Sequence, residues 1–548
     1  MATTVTNAPV MGVNSLPNEL LLMVFEHTLE RDDWTVCNAL SVSHVCQRWR
    51  RLALAAPGLW STVPRINAKW TELCLERSKK TALDVVIPDT KPSWIECMPS
   101  IRVIIPHIHR LRSVCLAMDV LFKIPGESDE AVESRWDAVD EVLDYLSQRV
   151  TPNLEVMHAA FDLSRCDEWY LPYVPTLPRQ FVRGASMPKL RDIDLECCVI
   201  PSLATSGLLS IALTHLHLRD VHVWKNVDEM IQCLQAVPHL QSFRWYNSGR
   251  IDESFPLTFD TSRSRIHPIR CANLPKLKEL HLDGSHLQNM LMFSYLSLPA
   301  KTRLRISGGR TAFDEEDSQD GPIDDLNALF ADALRSHFSD AIAQGACFHS
   351  LIINPYGDVQ LESPKHDRSS SSSSGSDLLP DEFKLAPALW GDGDKHGRRL
   401  RARRFMNTWL TLPIFANAFS INFEAKFWKR YPDVIRLFAR AREVRISTMA
   451  DHLRVLCAEV LSARPCPLPA LERLYVEELD FLVIIGLMDE LMWTLEDDSP
   501  IREVTISRCD FKEDDFAALK ALLGPDAVRW DGQDKRWGTR YWRHRFQK

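Results

Sequence analysis

The sequence predicts a mixed α/β chain: an N-terminal bundle of about three short helices, then an irregular solenoid of strand–helix units with a parallel sheet. Three observations carry this. Residues 14–61 hold two apolar stripes at helical spacing. From about Thr62 to Gly524 a short apolar phrase recurs, and each copy ends in period-2 alternation. Between the copies lie stretches with the apolar period of helices.

In the first stripe Ser15 can cap a helix with Pro17 in its first turn, where a missing N–H costs nothing. Leu20, Leu21, Val24 and Phe25 then recur at helical spacing. Asp32 and Asp33 interrupt the pattern and can cap the next helix. The second stripe is Leu40, Val42, Val45, Cys46, Trp49 and Leu52. Arg48, Arg50 and Arg51 fall towards its end, where cations suit a helix C-terminus. Pro57-Gly58 stops it. A unit this small cannot bury all its apolar residues. Some of Leu16, Pro17, Leu20, Val24, Val42, Cys46 and Trp49 should therefore lie open for a partner.

The series Leu16-Pro17-Asn18-Glu19-Leu20-Leu21, then Leu40-Ser41-Val42-Ser43-His44-Val45-Cys46-Gln47-Arg48-Trp49, then Leu59-Trp60 resembles an F-box. Trp70, Leu75-Glu76-Arg77-Ser78 and Leu83-Asp84-Val85 follow it. They resemble the segment after the F-box in the large F-box families of mushroom-forming fungi. The resemblance implies a substrate receptor of an SCF-type cullin-RING ubiquitin ligase. Such a receptor docks on the S-phase-kinase-associated adaptor and through it on a cullin. The residues expected to bind the adaptor are Leu16, Pro17, Leu20, Leu21, Val24, Phe25, Leu40, Val42, Val45, Cys46 and Trp49.

The repeated phrase is clearest in Leu190, Ile193 and Leu195 after Pro188, in Leu277, Leu280 and Leu282 after Pro275, and in Leu471, Leu474 and Val476 after Pro469. Looser copies start at Leu111, Leu154, Leu213, Leu240, Lys301, Phe348, Ala441 and Ile501. Helical patterns lie between them at Glu130 to Val150, Val227 to Val237, Asp325 to Ala343, Met449 to Ala463, Phe481 to Leu495 and Asp514 to Leu523. Strand and helix alternating at a period of a few tens of residues describe a βα solenoid. The phrase resembles that of leucine-rich repeats, though most copies lack the consensus Asn or Cys. Residues between the apolar positions then share an outward sheet face. Asp192, Asp194, His215 and His217 are candidates to meet a protein substrate there. So are Arg244, Tyr246, Glu279, His281, Arg473 and Tyr475.

The expected boundaries are a disordered start at 1–13, the F-box at 14–61, repeats at 62–361, a low-complexity insertion at 362–397, further repeats at 398–529, and a basic aromatic tail or cap at 530–548. The insertion holds a serine run from Ser369 to Ser374. Arg398 to Arg404 reads as the basic start of a helix, with nuclear import as the sharper alternative. The acidic stretch Phe313 to Asp325 reads as a solvated loop.

A net charge of -8 argues against a chain that seeks nucleic acid throughout. The 14 cysteines have no metal-finger spacing and read as reduced thiols of a cytoplasmic or nuclear protein. The chain shows no secretory start and no apolar run long enough for a membrane span. It has no phosphate loop, GxSxG or HExxH, so neither a catalytic role nor a cofactor is expected. His215 and His217 read as surface histidines, and no metal is expected. Two alternatives stand beside the ligase receptor: a non-degradative F-box scaffold, and a nucleic-acid binder using the arginine cluster and the tail.

Overall fold

The computed structural model describes residues 13–29, 38–63, 67–87, 94–118, 128–148, 150–161, 175–178, 187–203, 206–247, 259–308, 321–353, 359–362, 379–380, 382–386, 403–404, 406–423, 425–447, 450–479, 487–496, 499–509 and 513–531. The expected disordered start, the acidic loop up to residue 320, the serine run and nearly all of the tail lie outside them. Two compact units are present. The first comprises Met1–Lys225, Gln232–Leu240 and Ile251–Thr258; the second comprises Asn226–Ile231, Gln241–Arg250 and Phe259–Lys548.

The first unit opens with helices α1 (Asn18–Leu29), α2 (Asn38–Ser43), α3 (Gln47–Ala55) and α4 (Ala68–Ser78). Its sheet follows as β1 (Thr62–Val63), β2 (Leu83–Ile87), β3 (Leu111–Met118), β4 (Val156–Phe161), β5 (Asp192–Glu196) and β6 (His215–Arg219). These six pair in sequence order, all parallel. Parallel neighbours need a crossover, and the stretches between strands supply it. One is the 20-residue helix Asp129–Gln148 between β3 and β4.

The second unit carries β7 (Ser242–Tyr246), β8 (Ala272–Asn273), β9 (Glu279–Gly284), β10 (Leu296–Ser297) and β11 (Arg303–Gly308). It continues with β12 (Ser350–Ile353), β13 (Val359–Glu362), β14 (Glu382–Ala386), β15 (Ser420–Asn422), β16 (Glu443–Ser447), β17 (Arg473–Glu477), β18 (Glu503–Ser507) and β19 (Val528–Trp530). Its main sheet runs β7-β9-β11-β14-β13-β12-β15-β16-β17-β18-β19. Strands β8 and β10 form a separate parallel pair.

Two features depart from the expected parallel array. Strand β13 is antiparallel to both β12 and β14. Strand β14 lies inside the stretch read as a low-complexity insertion, yet it pairs parallel with β11. Its Phe383 and Leu385 are buried, which gives the short strand an apolar face despite its polar surroundings.

The alternation expected of the phrases is present. Ile193 and Leu195 on β5, Leu280 and Leu282 on β9, and Leu474 and Val476 on β17 are buried. Across the second unit the apolar positions stay in register, as Phe243–Leu280–Leu304–Phe383 on one flank and Val444–Leu474–Val504–Val528 on the other. Each buried aliphatic side chain of this kind contributes about 1.5–3 kcal/mol.

One backbone device recurs. The residue just after β5, β6, β17 and β18 is left-handed: Cys197, Asp220, Glu478 and Arg508 have φ of 55°, 51°, 57° and 50°. It turns the chain inward, so the next residue is buried: Cys198, Val221, Leu479 and Cys509. The Cys509 Sγ accepts a hydrogen bond from the Leu479 backbone N–H at 3.3 Å, which ties neighbouring turns together.

Candidate adaptor interface and sheet face

The N-terminal bundle is held by a compact core. Leu21, Phe25, Ala39, Ala53, Leu59, Trp60 and Cys74 are fully buried in it. Leu16, Val42, Trp49, Leu52 and Trp70 pack against them while partly exposed. Phe25 meets Trp49 at 4.8 Å between ring centroids. The Trp60 indole N–H donates to the Ala53 carbonyl at 2.8 Å, and Arg77 of α4 lies 4.3 Å over its ring. Helix α4 therefore completes the bundle from beyond its expected end at residue 61.

The second stripe is broken into two helices. Ser43 Oγ donates back to the Leu40 carbonyl, a local bond that competes with continuing the helix. Cys46 then caps α3, its Sγ accepting from the Trp49 N–H at 3.5 Å. This corrects the placing of the arginines: Arg48 sits in the first turn of α3, not at a helix end. Arg48 Nη2 donates to the Leu16 carbonyl at 2.6 Å and to Asn18 Oδ1 at 2.8 Å. It fastens the start of α3 to the start of α1.

The expected adaptor-binding residues separate into two groups. Leu21 and Phe25 are buried inside the bundle, because they fall on the inward side of α1, so they support the surface and do not form it. Leu16, Leu40, Val42 and Trp49 are half-buried. Pro17 and Cys46 are exposed, with Leu20 at 46%, Val24 at 43% and Val45 at 59% exposure. Met23, 54% exposed, belongs with them and was missed. Its spacing of three from Leu20 was the available signal. Pro17, Leu20, Met23 and Val24 form one apolar stripe along α1. The Arg48 tether brings the turn at Val45 and Cys46 to the same end of that stripe.

On the first unit's sheet Asp192 lies opposite His215, and Asp194 opposite His217. Strand β4 adds His158, opposite Asp194 and 3.7 Å from Asp192 Oδ1. Sequence reading missed His158, although Met157-His158-Ala159 has the right alternation. Interaction with Asp192, and then Cys115, pushes the His158 imidazole up to about 10. Burial would raise the Asp192 carboxyl, but His158, His215 and His217 outweigh it and hold the group low. The sign follows from linkage: His158 stabilises the fold fully below about pH 6.5 and loses that contribution as pH rises towards 10. Asp192 contributes above its ordinary range and loses it in acid. NMR titration should find His158 well above the ordinary imidazole midpoint, and Asp192→Asn should return it towards about 6.5. An unchanged midpoint in the variant would assign the shift to another group.

On the second unit's sheet a register row joins Arg244, His281, Arg305 and Lys384, and through further strands reaches Arg445, Tyr475 and Thr505. His281 and Tyr475 thus share one face of this sheet. Glu279 grips Arg244, with Nη2 to Oε1 at 2.9 Å. Tyr246 is exposed at the end of β7. Arg473 pairs with Glu503 at 3.0 Å, and Arg445 lies 5.2 Å over the Tyr475 ring. Burial, followed by Arg305 and Arg244, pushes His281 down to about 4.

Outside these faces, Arg403 is paired with Asp433 and Arg404 with Asp324. Residues 398–402 lie outside the described set. Among the described residues the cysteines are free and no His, Cys, Asp and Glu group is arranged to hold a metal. No described helix is long and apolar enough to cross a membrane.

The F-box-like family matches residues 13–64, the stretch that holds α1, α2 and α3 but not α4. No curated protein matches the chain. Residues 13–64 thus carry an F-box-like domain, a kind of domain that suggests a ubiquitin-ligase adaptor role in general. F-box domains are typically non-catalytic, and they bind the S-phase-kinase-associated adaptor and so a cullin complex.

Proposed function

We propose that this chain is the substrate-recognition subunit of an SCF-type cullin-RING ubiquitin ligase. The observation that carries the reading is the coincidence of the F-box-like match with an exposed apolar stripe, Pro17, Leu20, Met23 and Val24, on an otherwise well-packed bundle. The bundle docks on the S-phase-kinase-associated adaptor. The βα body, read as a degenerate leucine-rich-repeat-like solenoid, presents its sheet face to a protein substrate. Aligned parallel strands and the recurring left-handed turn support that reading. The recruited conjugating enzyme supplies the chemistry. This chain acts by raising the effective concentration of substrate lysines near it. The cytoplasm or nucleus, where cullin ligases work, is the proposed location.

The test is capture of the purified adaptor by the full chain, followed by affinity purification under proteasome inhibition and mass spectrometry. Adaptor, cullin and at least one ubiquitylated protein are expected. Adaptor captured with no ubiquitylated partner would favour a non-degradative scaffold. No adaptor captured would sink the ligase reading. The arginine cluster gives little support to a nucleic-acid reading, because Arg403 and Arg404 are already engaged by acids.

A further inference from the structure

The last described layer of the second unit is β19 and the helix Glu513–Leu523. The Phe516 and Trp530 rings meet at 5.4 Å and join the two. The described partner of β19 is β18. The helix is little covered: only Leu519 of its eleven residues is buried. Helix His286–Tyr295, within the same unit, has nine of its ten residues buried. Phe516, Leu522 and Leu523 of the last helix are half-buried, and Ala517, Ala518 and Ala521 are exposed. Ala517 and Ala521 stand four apart, as do Ala518 and Leu522, so the two pairs form adjoining ridges along one face. Stacked layers of strand and helix cover one another, and the last of them needs a cover of its own.

This layer is acidic as well as apolar. From Glu513 to Trp530 four acids, Glu513, Asp514, Asp515 and Asp526, stand against two bases, Lys520 and Arg529. None of the four acids makes an ion pair with a described residue. Lys520 Nζ lies 4.2 Å over the Phe516 ring. The chain continues from Asp531, beside this face, with the opposite character. Residues 532–548 hold Lys535, Arg536, Arg540, Arg543, Arg545 and Lys548 against Asp534 alone, with Trp537, Tyr541, Trp542 and Phe546 set among them. Fully extended, a segment of this length spans about 56–61 Å, and a helix of eleven residues is about 16 Å long, so the segment is long enough to cover it. A tether this short holds the rings and bases near the face at an effective concentration in about the millimolar range. A second copy of the chain suits the face less well, because a two-fold pairing would set the same four acids against one another.

We infer that residues 532–548 dock on the outer face of helix Glu513–Leu523 and cover the end of the second unit. The small side chains of Ala517, Ala518 and Ala521 let large rings approach the helix closely. An aromatic side chain removes about 150–250 Å² from water when it is buried. The lysines and arginines of the segment meet the four acids. Rings and bases engaged in this way are not offered to a nucleic acid.

Carbodiimide coupling of the full chain, read by peptide mass spectrometry, tests this. The reagent joins a lysine amine to a carboxylate in contact with it. Lys535 or Lys548 should couple to Glu513, Asp514 or Asp515, and should do so in the monomer fraction from size exclusion. A Trp537→Ala, Trp542→Ala, Phe546→Ala triple variant should lower that yield at least fivefold. In the same variant the backbone amides of Glu513–Leu523 should exchange with deuterium at least tenfold faster. Those of helix Gly321–His337, in the same unit, should keep their rate. The variant changes only residues beyond β19, so the folded body serves as its own control. Coupling found only in dimers would assign the face to a second copy and overturn the inference. Equal coupling in the variant would show a segment that is tethered nearby without docking, and would overturn it as well. So would the absence of coupling, or unaltered exchange. Single-stranded RNA held through Trp537 and Trp542 in place of the helix contact would also overturn it.

Discussion

A Leu20→Asp, Val24→Asp double variant should lose the S-phase-kinase-associated adaptor in a pull-down while its thermal unfolding stays where it was. Both side chains are nearly half exposed and lie outside the bundle core. Removing a buried interface anchor commonly costs about 2 kcal/mol or more, and each such loss weakens binding roughly thirtyfold. Placing two carboxylates where an apolar partner must close adds their desolvation, so a loss well beyond a hundredfold is expected. Leu16→Ala would be a poorer test, because Leu16 packs on the core and its loss also loosens the bundle. Adaptor retained by a folded Asp variant would move the contact off α1.

Phe348→Ala should lower the stability of the second unit by about 3–5 kcal/mol. The ring is fully buried. It stacks on Phe415 at 5.8 Å and 8°, and meets Phe338 at 5.8 Å and Phe383 at 5.6 Å. Phe383 belongs to β14, so this aromatic cluster is what holds that strand in the sheet. At about 2–4 °C per kcal/mol the midpoint of thermal unfolding should fall by roughly 10 °C. Calorimetry reads this directly. A shift under about 2 °C would mean that the site collapses to fill the cavity.

These two sites show how unevenly the chain could be read. Phrases such as Leu471, Leu474 and Val476 announce strands because alternation and a preceding Pro coincide. The helix at Glu513–Leu523 was legible for a similar reason, with acids in its first turn. Strand β14 was not legible. Only Phe383 and Leu385 mark it, inside a stretch whose composition reads as disorder, and its stability comes from rings distant in sequence. The break between α2 and α3 was hidden because it depends on a Ser43 back-bond and a Cys46 cap, neither a strong turn signal. The left-handed residues after the strands went unseen because Cys, Asp, Glu and Arg stand where glycine would have flagged them. On α1 the apolar stripe was visible, but its inner and outer sides were not. Only packing separates Leu21 and Phe25 from Leu20, Met23 and Val24.

The position of β14 has a consequence for biosynthesis. Strand β11 ends at Gly308, but the strand that covers its flank begins only at Glu382, about seventy residues later. At about 5–20 residues per second, a ribosome takes roughly 4–15 s to deliver it. Strand β12, made in between, does not take that place, because β13 and β14 separate it from β11 in the finished sheet. For those seconds the nascent chain presents an open strand edge. Arg303 and Arg305 stand on that edge, and charges of one sign are how native sheets discourage a neighbouring polypeptide from pairing there. These two arginines would thus protect the chain while it is still being made.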